Sequence, residues 1–462
     1  MREPGPEEQV GPLPLDRPLP LEGAASPGTA RAGGAAVAAA VAAPRGGERR
    51  LGGYRVLRHR DFRLIAAGNT VSQLGFWAQY VAVGWAASSL TRSQFLITLA
   101  FSAQFWPALV FSPLAGLFAD RHDRRRLVMF GNLAMAVPPL VIGLLIQNGA
   151  ITLLSLVALV FVGGIGQAFT QPATVAFIPA LVPPEDVPAA IAANAGLTNS
   201  TRIIGPTVAG LAIAAWGVGW GFHLNAASFL AVTVACILVR TRPQPRPRSG
   251  AGTMADLRSG LAYARSNPVV TRLVALMASI SFLLMHAALM PIFARRVLHG
   301  GVSTYGLLSA APGVGFVVGA VAMSWLYTGR RQRGALVVGA WGIGLALLVV
   351  AASRSIPLTV VALGAFGACQ FTVNTTATTM LVGASEDAFR GRVMGLFMML
   401  SVGVIPVNSV VAGGLASLLG APLTVGLCGA TVLVATGLFC ATGSLQAIRA
   451  ASSPSAGRVA GS

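Results

Sequence analysis

The chain has 462 residues, of which 54% are hydrophobic and 10% charged, whereas a soluble domain carries about 25% charged residues. Single hydrophobic cores stop growing near ~300 residues, so a soluble protein of this length could not bury so much apolar surface. The formal net charge of +19 does not indicate a nucleic-acid partner, because the basic residues stand in short clusters between long apolar runs. The composition therefore predicts a protein that lies in a lipid bilayer.

Twelve apolar segments follow one another along the chain, each close to the ~20 residues that cross a membrane as a helix. Backbone groups in lipid must be hydrogen-bonded within the segment, and the alternation of barrel strands is absent, so helices are predicted. The predicted fold class is an all-α integral membrane protein. The segments are 62–89, 95–119, 127–147, 151–179, 188–215, 219–239, 270–294, 303–327, 334–352, 356–380, 391–417 and 421–446.

A charged, Pro-rich stretch near residue 240 divides the segments into two groups of six. The sequence LVPPED at 181–186 is echoed by LVGASED at 381–387, which favours two pseudo-symmetric six-helix bundles, an arrangement typical of transporters. The sequence predicts five segments along the chain. They are a disordered tail (1–55), an N-terminal half (56–240), a linker with a short surface helix (241–269), a C-terminal half (270–446) and a second disordered tail (447–462).

The distribution of arginine predicts the orientation of the chain. If both termini are cytoplasmic, the inside loops and flanks hold 25 arginines and the outside loops hold 4. Cytoplasmic loops carry the excess of basic residues in membrane proteins. The absence of Lys and the abundance of Ala and Gly are typical of a GC-rich bacterial genome. The predicted location is therefore the bacterial cytoplasmic (inner) membrane, with both termini inside.

The loop after the second segment, GLFADRHDRRR at 116–126, resembles the cytoplasmic GxxxDRxxRR signature of the major facilitator superfamily. The resemblance implies a conformational latch that holds the outward-facing state, in which Asp120 pairs with arginines or with a helix N-terminus of the other half. The alternative is a basic loop that only sets the topology. The latch residues are Gly116, Asp120, Arg121, Arg124 and Arg125.

The fifth segment contains Arg202, Gly205, Pro206 and Gly210, which resembles the fifth-helix Gly-Pro motif of exporters in this superfamily. The resemblance implies a seal between the two halves, since Gly admits a neighbouring backbone and Pro weakens the helix ladder. Arg202 is a buried cation with no acidic partner at its depth. It either meets an anionic or strongly hydrogen-bonding substrate or is held structurally by carbonyls and nearby asparagines.

Four further stretches narrow the resemblance, which covers about 55–445: HRDFRLIAAGNTVSQLG (59–75), NSTRIIGP (199–206), FHLNAASFL (222–230) and RGRVMGLF (390–397). Together they resemble the branch that contains enterobactin exporters and macrolide-efflux proteins. Members of that branch often carry an acidic residue after the Ser-x-x-Gly stretch, where this chain has Phe76 and Trp77. The resemblance implies a monomeric exporter of a small amphipathic molecule. An importer or facilitator, and a non-transporting sensor, are the alternatives.

No acidic residue lies in the middle of a predicted span. Proton-driven carriers commonly use a buried carboxylate, so any coupling to a proton gradient is expected through Asp61, Asp120 or His286. We expect no cofactor, no metal and no enzymatic activity, because the chain lacks paired carboxylates, a metal cluster or an activated nucleophile. The expected partners are a small-molecule substrate and the lipid bilayer.

Polar side chains within the spans are few, and they are the candidates for a substrate cavity at the interface of the repeats. Residues four apart share one face of a helix, as in three of the pairs below. His286 is a candidate proton relay or a packing residue, and each amide is a candidate ligand group or a bond between helices. The candidates are Asn69, Gln73, Tyr80, Gln104, Gln167, Gln171, Arg202, His286, Gln370 and Asn374.

Overall fold

A computed structural model describes residues 55–240, 261–283, 286–326, 332–385, 389, 393–394, 396–397 and 404–441. The predicted C-terminal tail, the N-terminal tail up to residue 54 and the linker from 241 to 260 lie outside these residues. So does much of the beginning of the eleventh segment. Within the described part of the chain the secondary structure is helical and contains no β-strand.

The N-terminal half is a bundle of long helices that run back and forth. Two short 3₁₀ turns, Ile178–Leu181 and Pro184–Asp186, connect α6 to α7. The helices are α1 (Arg60–Leu90), α2 (Gln94–Ser102), α3 (Trp106–Arg121), α4 (Arg124–Met135), α5 (Val137–Gln147), α6 (Leu153–Phe177), α7 (Val187–Trp216) and α8 (Val218–Leu238).

The C-terminal half repeats this arrangement. A π-helix, Phe293–Val297, extends the end of α10. The helices are α9 (Pro268–Leu283), α10 (His286–Ile292), α11 (Val302–Leu326), α12 (Gln332–Ala352), α13 (Ile356–Ala384), α14 (Ile405–Leu419) and α15 (Ala421–Ala441).

Two of the predicted spans are interrupted. The second is broken at 103–105, and the third at Ala136. In each case a Pro lies in the first turn of the helix that follows, Pro107 in α3 and Pro138 in α5. Pro lacks a backbone N–H and is tolerated in the first turn of a helix, so it allows a new helix to start there. These breaks interrupt the regular hydrogen bonding of a predicted span, while the backbone at Ala103, Phe105 and Ala136 keeps right-handed helical dihedral angles.

The helices have the length and composition of membrane spans. Eight helical stretches of the described chain are long and apolar enough to cross a bilayer, and two shorter apolar helices are Ile204–Trp216 and Ile405–Leu419. Large apolar side chains cover the outside of the bundle, such as Leu418, which is 82% exposed, and Val338, which is 71% exposed. In water such a surface would be unfavourable, whereas in lipid it is the expected one. The all-α integral membrane fold is confirmed, and the count of twelve spans stays a prediction.

The two halves repeat, and the offset is clearest in their last helices. Helix α8 (Val218–Leu238) and helix α15 (Ala421–Ala441) each have 21 residues, and they start 203 positions apart. The turn before each contains a glycine in the left-handed region, Gly217 with φ 93° and Gly420 with φ 84°. L side chains disfavour this conformation, so glycine is required at both turns. The pseudo-symmetry predicted from the sequence is present in the backbone.

The bundle has two ends, which we call distal and proximal. The distal end carries the connections at 91–93, 148–152, 298–301 and 353–355, and the two Gly turns. The proximal end carries residue 55 and the last described residue, 441.

Candidate functional site

Five of the predicted cavity residues line a single cavity, which lies inside the N-terminal half. They are Asn69, Gln73, Gln104, Gln167 and Gln171. The cavity has about 60 Å³ of space for the centres of water molecules, enough for roughly four waters. Its wall is formed by α1, α4, α6 and α8 and by the break between α2 and α3.

The local structure explains how these amides converge. Asn69 and Gln73 lie one turn apart on α1, and Gln167 and Gln171 lie one turn apart on α6. Gln104 lies in the break between α2 and α3 and is only 4% exposed. Its side chain donates to the Phe101 carbonyl at 3.2 Å.

Three further amides of the cavity were missed from the sequence: Gln79, Asn225 and Asn132, whose amide donates to the Val128 carbonyl of its own helix, α4, at 2.7 Å. Gln79 on α1 and Asn225 on α8 are buried, and the Asn225 amide donates to the Gln79 carbonyl oxygen at 2.6 Å. The Asn225 side-chain oxygen in turn accepts from the Ser228 hydroxyl at 3.2 Å. The signal was the spacing of three or four residues along α1 from Asn69 to Gln73, which continues through Phe76 to Gln79. The sequence analysis continued it to Tyr80 instead.

Tyr80 does not line this cavity. Its ring packs edge-on against Phe101, with ring centroids 4.7 Å apart, and against Trp77 at 5.1 Å. Because residues one apart on a helix point about 100° away from each other, Gln79 faces the cavity and Tyr80 an aromatic cluster. Gln79 rather than Tyr80 therefore lines this cavity, and the role of Tyr80 in a cavity between the halves stays a prediction.

Asn69 also joins two helices of the half. Its amide donates to the Asn194 side-chain oxygen at 3.1 Å, which connects α1 to α7. The predicted alternative for these amides, a bond between helices, is therefore present for Asn69 together with its position in the cavity wall.

The candidates of the C-terminal half lie apart from the cavity. His286 on α10 is 7% exposed, and its ring packs edge-on against Phe366 with centroids 4.4 Å apart. Gln370 is half-buried and Asn374 is exposed, on α13. The structure thus brings together the amides of the N-terminal half and leaves their counterparts in the other half separate.

Arg124 and Arg125, which follow α3, contact the ends of other helices in their own half. Arg125 donates to the carbonyls of Cys236 at 2.8 Å and Ile237 at 3.2 Å, at the C-terminus of α8. Arg124 donates to the Ala176 carbonyl at the end of α6, at 3.4 Å. Guanidinium groups stabilise C-terminal carbonyls both by hydrogen bonds and through the helix dipole.

The same loop also contains Asp123, and the remaining latch residues lie on α3. Asp123 caps α4, because its side chain accepts from the backbone N–H groups of Arg125 and Arg126. Gly116, Asp120 and Arg121 lie on α3, and their side chains are outside the described part of the structure.

Arg125 is expected to contribute to the stability of the N-terminal half. Replacing it by glutamine (Arg125→Gln) removes the charged donor from two carbonyls and should lower the free energy of unfolding by about 1 kcal/mol. The measurement is the thermal unfolding midpoint of the purified protein in detergent. The control is Arg126→Gln, since the Arg126 side chain is 78% exposed and lies 3.9 Å from Asp123. Equal midpoints for the two variants would contradict the capping role.

The Gly-Pro motif lies where α7 contacts both α1 and the other half. A Cβ on Gly205 would lie 2.6 Å from the Cβ of Trp77. A Cβ on Gly210 would lie 2.6 Å from the Cα of Gly306 on α11, in the other half. Gly205 thus lies close to a side chain and Gly210 close to a backbone, and the seal implied by the motif stays a prediction. Arg202 lies on α7, and its side chain is outside the described part.

Two other glycines join the halves at the distal end. A Cβ on Gly84 of α1 would lie 2.8 Å from the Cγ of Pro291 on α10. A Cβ on Gly413 of α14 would contact the Thr98 hydroxyl and lie 3.0 Å from the Cα of Phe95 on α2. With Gly210 and Gly306, these contacts bring α1, α2 and α7 against α10, α11 and α14.

Arg295 adds a polar contact across the same end. Its guanidinium donates to the Ser88 carbonyl at 2.8 Å and lies 5.6 Å from the centre of the Trp85 ring. Trp85 stacks on Tyr305 of α11, with centroids 6.4 Å apart. The sequence analysis counted Arg295 only as a loop charge. We call these contact residues the distal seal: Gly84, Gly210, Gly306, Gly413 and Arg295.

The structure has two repeated helical halves that meet at the distal end, with an apolar surface around buried polar groups. These features define the class of membrane transporters with the major facilitator fold. The chain matches the transmembrane secretion effector family over residues 51–460 and belongs to that family of the major facilitator superfamily.

Relatives of known name fall in the same superfamily. The chain is 25% identical over 208 residues to macrolide efflux protein A of Streptococcus pyogenes, a match that covers 45% of this chain and 51% of the relative. The chain thus spans about half the length of that relative. It is 24% identical over 364 residues to the enterobactin exporter EntS of Shigella boydii, which covers 78% of this chain and 86% of the exporter.

Solved structures share the fold. The nucleoside transporter NupG superposes with a TM-score of 0.68 at 11% identity, over 83% of this chain and 99% of that one. The human organic anion transporter MFSD10 gives a TM-score of 0.57 at 16% identity, over 82% and 98% of the two chains. At these identities the likeness concerns the fold alone.

Proposed function

We propose that this transporter exports a small amphipathic molecule across the bacterial cytoplasmic membrane by alternating access, as a monomer and without a cofactor. The observation that carries the proposal is the combination of a closed distal end with a polar cavity inside an otherwise apolar bundle. The names of the two relatives, an efflux protein and an exporter, favour the outward direction.

The arginine distribution favours cytoplasmic termini, so the distal end faces outward in this proposal. The structure then corresponds to the state that is closed to the outside. Export requires the distal seal to separate while the proximal end closes. Asp120 would then engage the C-terminal half, as the resemblance implies for the latch. Arg124, which binds the end of α6, and Arg125, which binds the end of α8, keep the N-terminal half rigid during this movement.

A proton gradient is the proposed driving force. Asp61 lies at the proximal end, where its carboxylate accepts from the backbone N–H of Arg240 at 3.1 Å and lies 3.3 Å from the Arg60 guanidinium. Asp61, Asp120 and His286 are the candidates for the protonated group. Dissipation of the gradient in cells that carry out export should therefore stop accumulation of substrate outside.

The test compares wild type with Asp120→Asn in an efflux-deficient bacterial host, challenged with a panel of amphipathic antibiotics and siderophores. We expect wild type to raise the inhibitory concentration of at least one compound, and Asp120→Asn to lose this resistance at equal expression. Asn cannot form the charged pair that stabilises the outward-facing state.

The control is Asp123→Asn, because Asp123 caps α4 locally and asparagine is an equally good cap. Increased sensitivity of cells that express wild type would indicate import. Equal resistance with Asp120→Asn and wild type would contradict the latch.

A further inference from the structure

We infer that the cavity in the N-terminal half is a subsite for an uncharged, hydroxyl- or carbonyl-bearing group of the transported molecule. This inference rests on the proposed function and specifies the chemistry that the site selects. It depends on the position of the cavity, its lack of charge and its unused hydrogen-bonding groups.

The cavity lies within the N-terminal half, beside an interrupted helix. Its wall includes the break at 103–105 between α2 and α3, with Gln104 in the break. An interruption of helical hydrogen bonding at membrane depth leaves backbone groups that are satisfied by protein, by water or by a polar ligand. A break at this position is therefore typical of a binding site.

The wall offers hydrogen bonds and no charge. None of the described residues that line the cavity is charged, and eight of them carry side-chain amides. A cation or anion would lose its hydration without gaining a counter-charge, which is costly in a membrane protein. Neutral hydroxyl and carbonyl groups match amides, because each amide offers two donors and one acceptor oxygen.

Some polar groups in the cavity wall have hydrogen-bonding capacity that no described residue uses. Thr170 is one of the lining residues and is only 4% exposed, and its hydroxyl is buried without a hydrogen bond to any described residue. Asn225 uses one of its amide donors on Gln79 and its oxygen on Ser228. A buried polar group without a partner is unfavourable, so water or a ligand hydroxyl is expected against Thr170.

The size of the cavity limits what enters it. Space for roughly four waters fits one hydroxylated ring or a short polar arm, and it excludes a whole drug-sized molecule. The rest of the substrate would therefore lie outside the cavity, between the halves, while its neutral polar end displaces the waters.

The experiment measures binding to the full-length protein in phosphatidylcholine nanodiscs. Three probes share a hexyl chain: hexyl β-glucoside is neutral, hexyltrimethylammonium is a cation and hexyl sulfate is an anion. We expect saturating glucoside to raise the thermal unfolding midpoint by about 2 °C, and the two ions to leave it within error. Equal shifts with all three probes, or a larger shift with either ion, would overturn the inference.

Two variants locate the binding. Thr170→Val removes the hydroxyl and keeps the shape of the side chain, and it should weaken glucoside binding by about three- to tenfold. Gln79→Leu should have at least this effect; if it does not fold, Thr170→Val decides alone. The control is Gln147→Leu, an exposed amide at the end of α5. The same affinity for wild type, Thr170→Val and Gln147→Leu would overturn the inference.

The binding measurement separates this inference from the proposed function. Glucoside binding that depends on Thr170, without any export by cells, would preserve the subsite and contradict the exporter. Export by cells without such binding would preserve the exporter and overturn the subsite.

Discussion

Replacing Gly210 by alanine is expected to hold the distal end open and to abolish most transport. The added Cβ would lie 2.6 Å from the Cα of Gly306, and the atom it meets belongs to the backbone, so no side chain can move aside. Overpacking of this kind costs about 1–3 kcal/mol, which shifts a conformational equilibrium by about 5- to 150-fold. Helices α7 and α11 must therefore separate, and the closed state loses its population.

The population of the open state is measurable by cysteine labelling. Ser88 is 7% exposed beneath the distal seal, so in a background without the four native cysteines the Ser88→Cys variant should react slowly with an impermeant maleimide. Gly210→Ala should raise this rate by the same factor that it shifts the equilibrium. The matched control is Gly196→Ala on the same helix, where an added Cβ meets nothing within 4 Å. Equal labelling rates for both glycine variants would show that α7 and α11 do not form the seal.

Periodicity and resemblance predicted most of the framework. The repeat of LVPPED near 181 by LVGASED near 381 corresponds to an offset of 203 between helices α8 and α15. The close approach at Gly205 and Gly210 followed from the Gly-Pro motif. Both properties are local in sequence or repeat along it, which is why a single chain reveals them.

The pairing of side chains across helices was not predictable in the same way. Gln79 and Asn225 are 146 positions apart, and no local pattern distinguishes a buried amide that meets another from one that faces lipid. Arg295 donates to a backbone carbonyl 207 positions away, and every residue carries such a carbonyl. The sequence therefore gives no signal for that acceptor, and the arginine was interpreted only as a topological charge.

The symmetry of the sequence also overstated the symmetry of the site. Gln167 and Gln370 occupy equivalent positions, and so do Gln171 and Asn374. Only the first member of each pair lines the cavity, because the break near Gln104 and the amide pair of Gln79 on α1 and Asn225 on α8 open polar space in the N-terminal half. A repeated backbone fixes where a side chain starts, whereas its neighbours decide whether it faces a cavity.

Replacing Arg295 by methionine is expected to open the distal end without disturbing the helices. The change removes the hydrogen bond to the Ser88 carbonyl and the cation–π contact with Trp85. Because Arg295 is exposed, the two contacts together should contribute about 1–2 kcal/mol to the closed state, a factor of about 5–30 in its population. The labelling rate of the Ser88→Cys variant should rise by this factor.

The matched control is Arg354→Met, since Arg354 lies at the same end and donates only within its own half, to Ala351 at 3.1 Å and Ser353 at 2.9 Å. A double-mutant cycle with Trp85→Leu then tests whether arginine and tryptophan act together. If they do, the second change adds little once the first is made, because Arg295 reaches Ser88 across the Trp85 ring. Fully additive effects would assign the contribution of Arg295 to the Ser88 carbonyl alone. An unchanged rate in Arg295→Met would leave the glycine contacts as the whole of the seal.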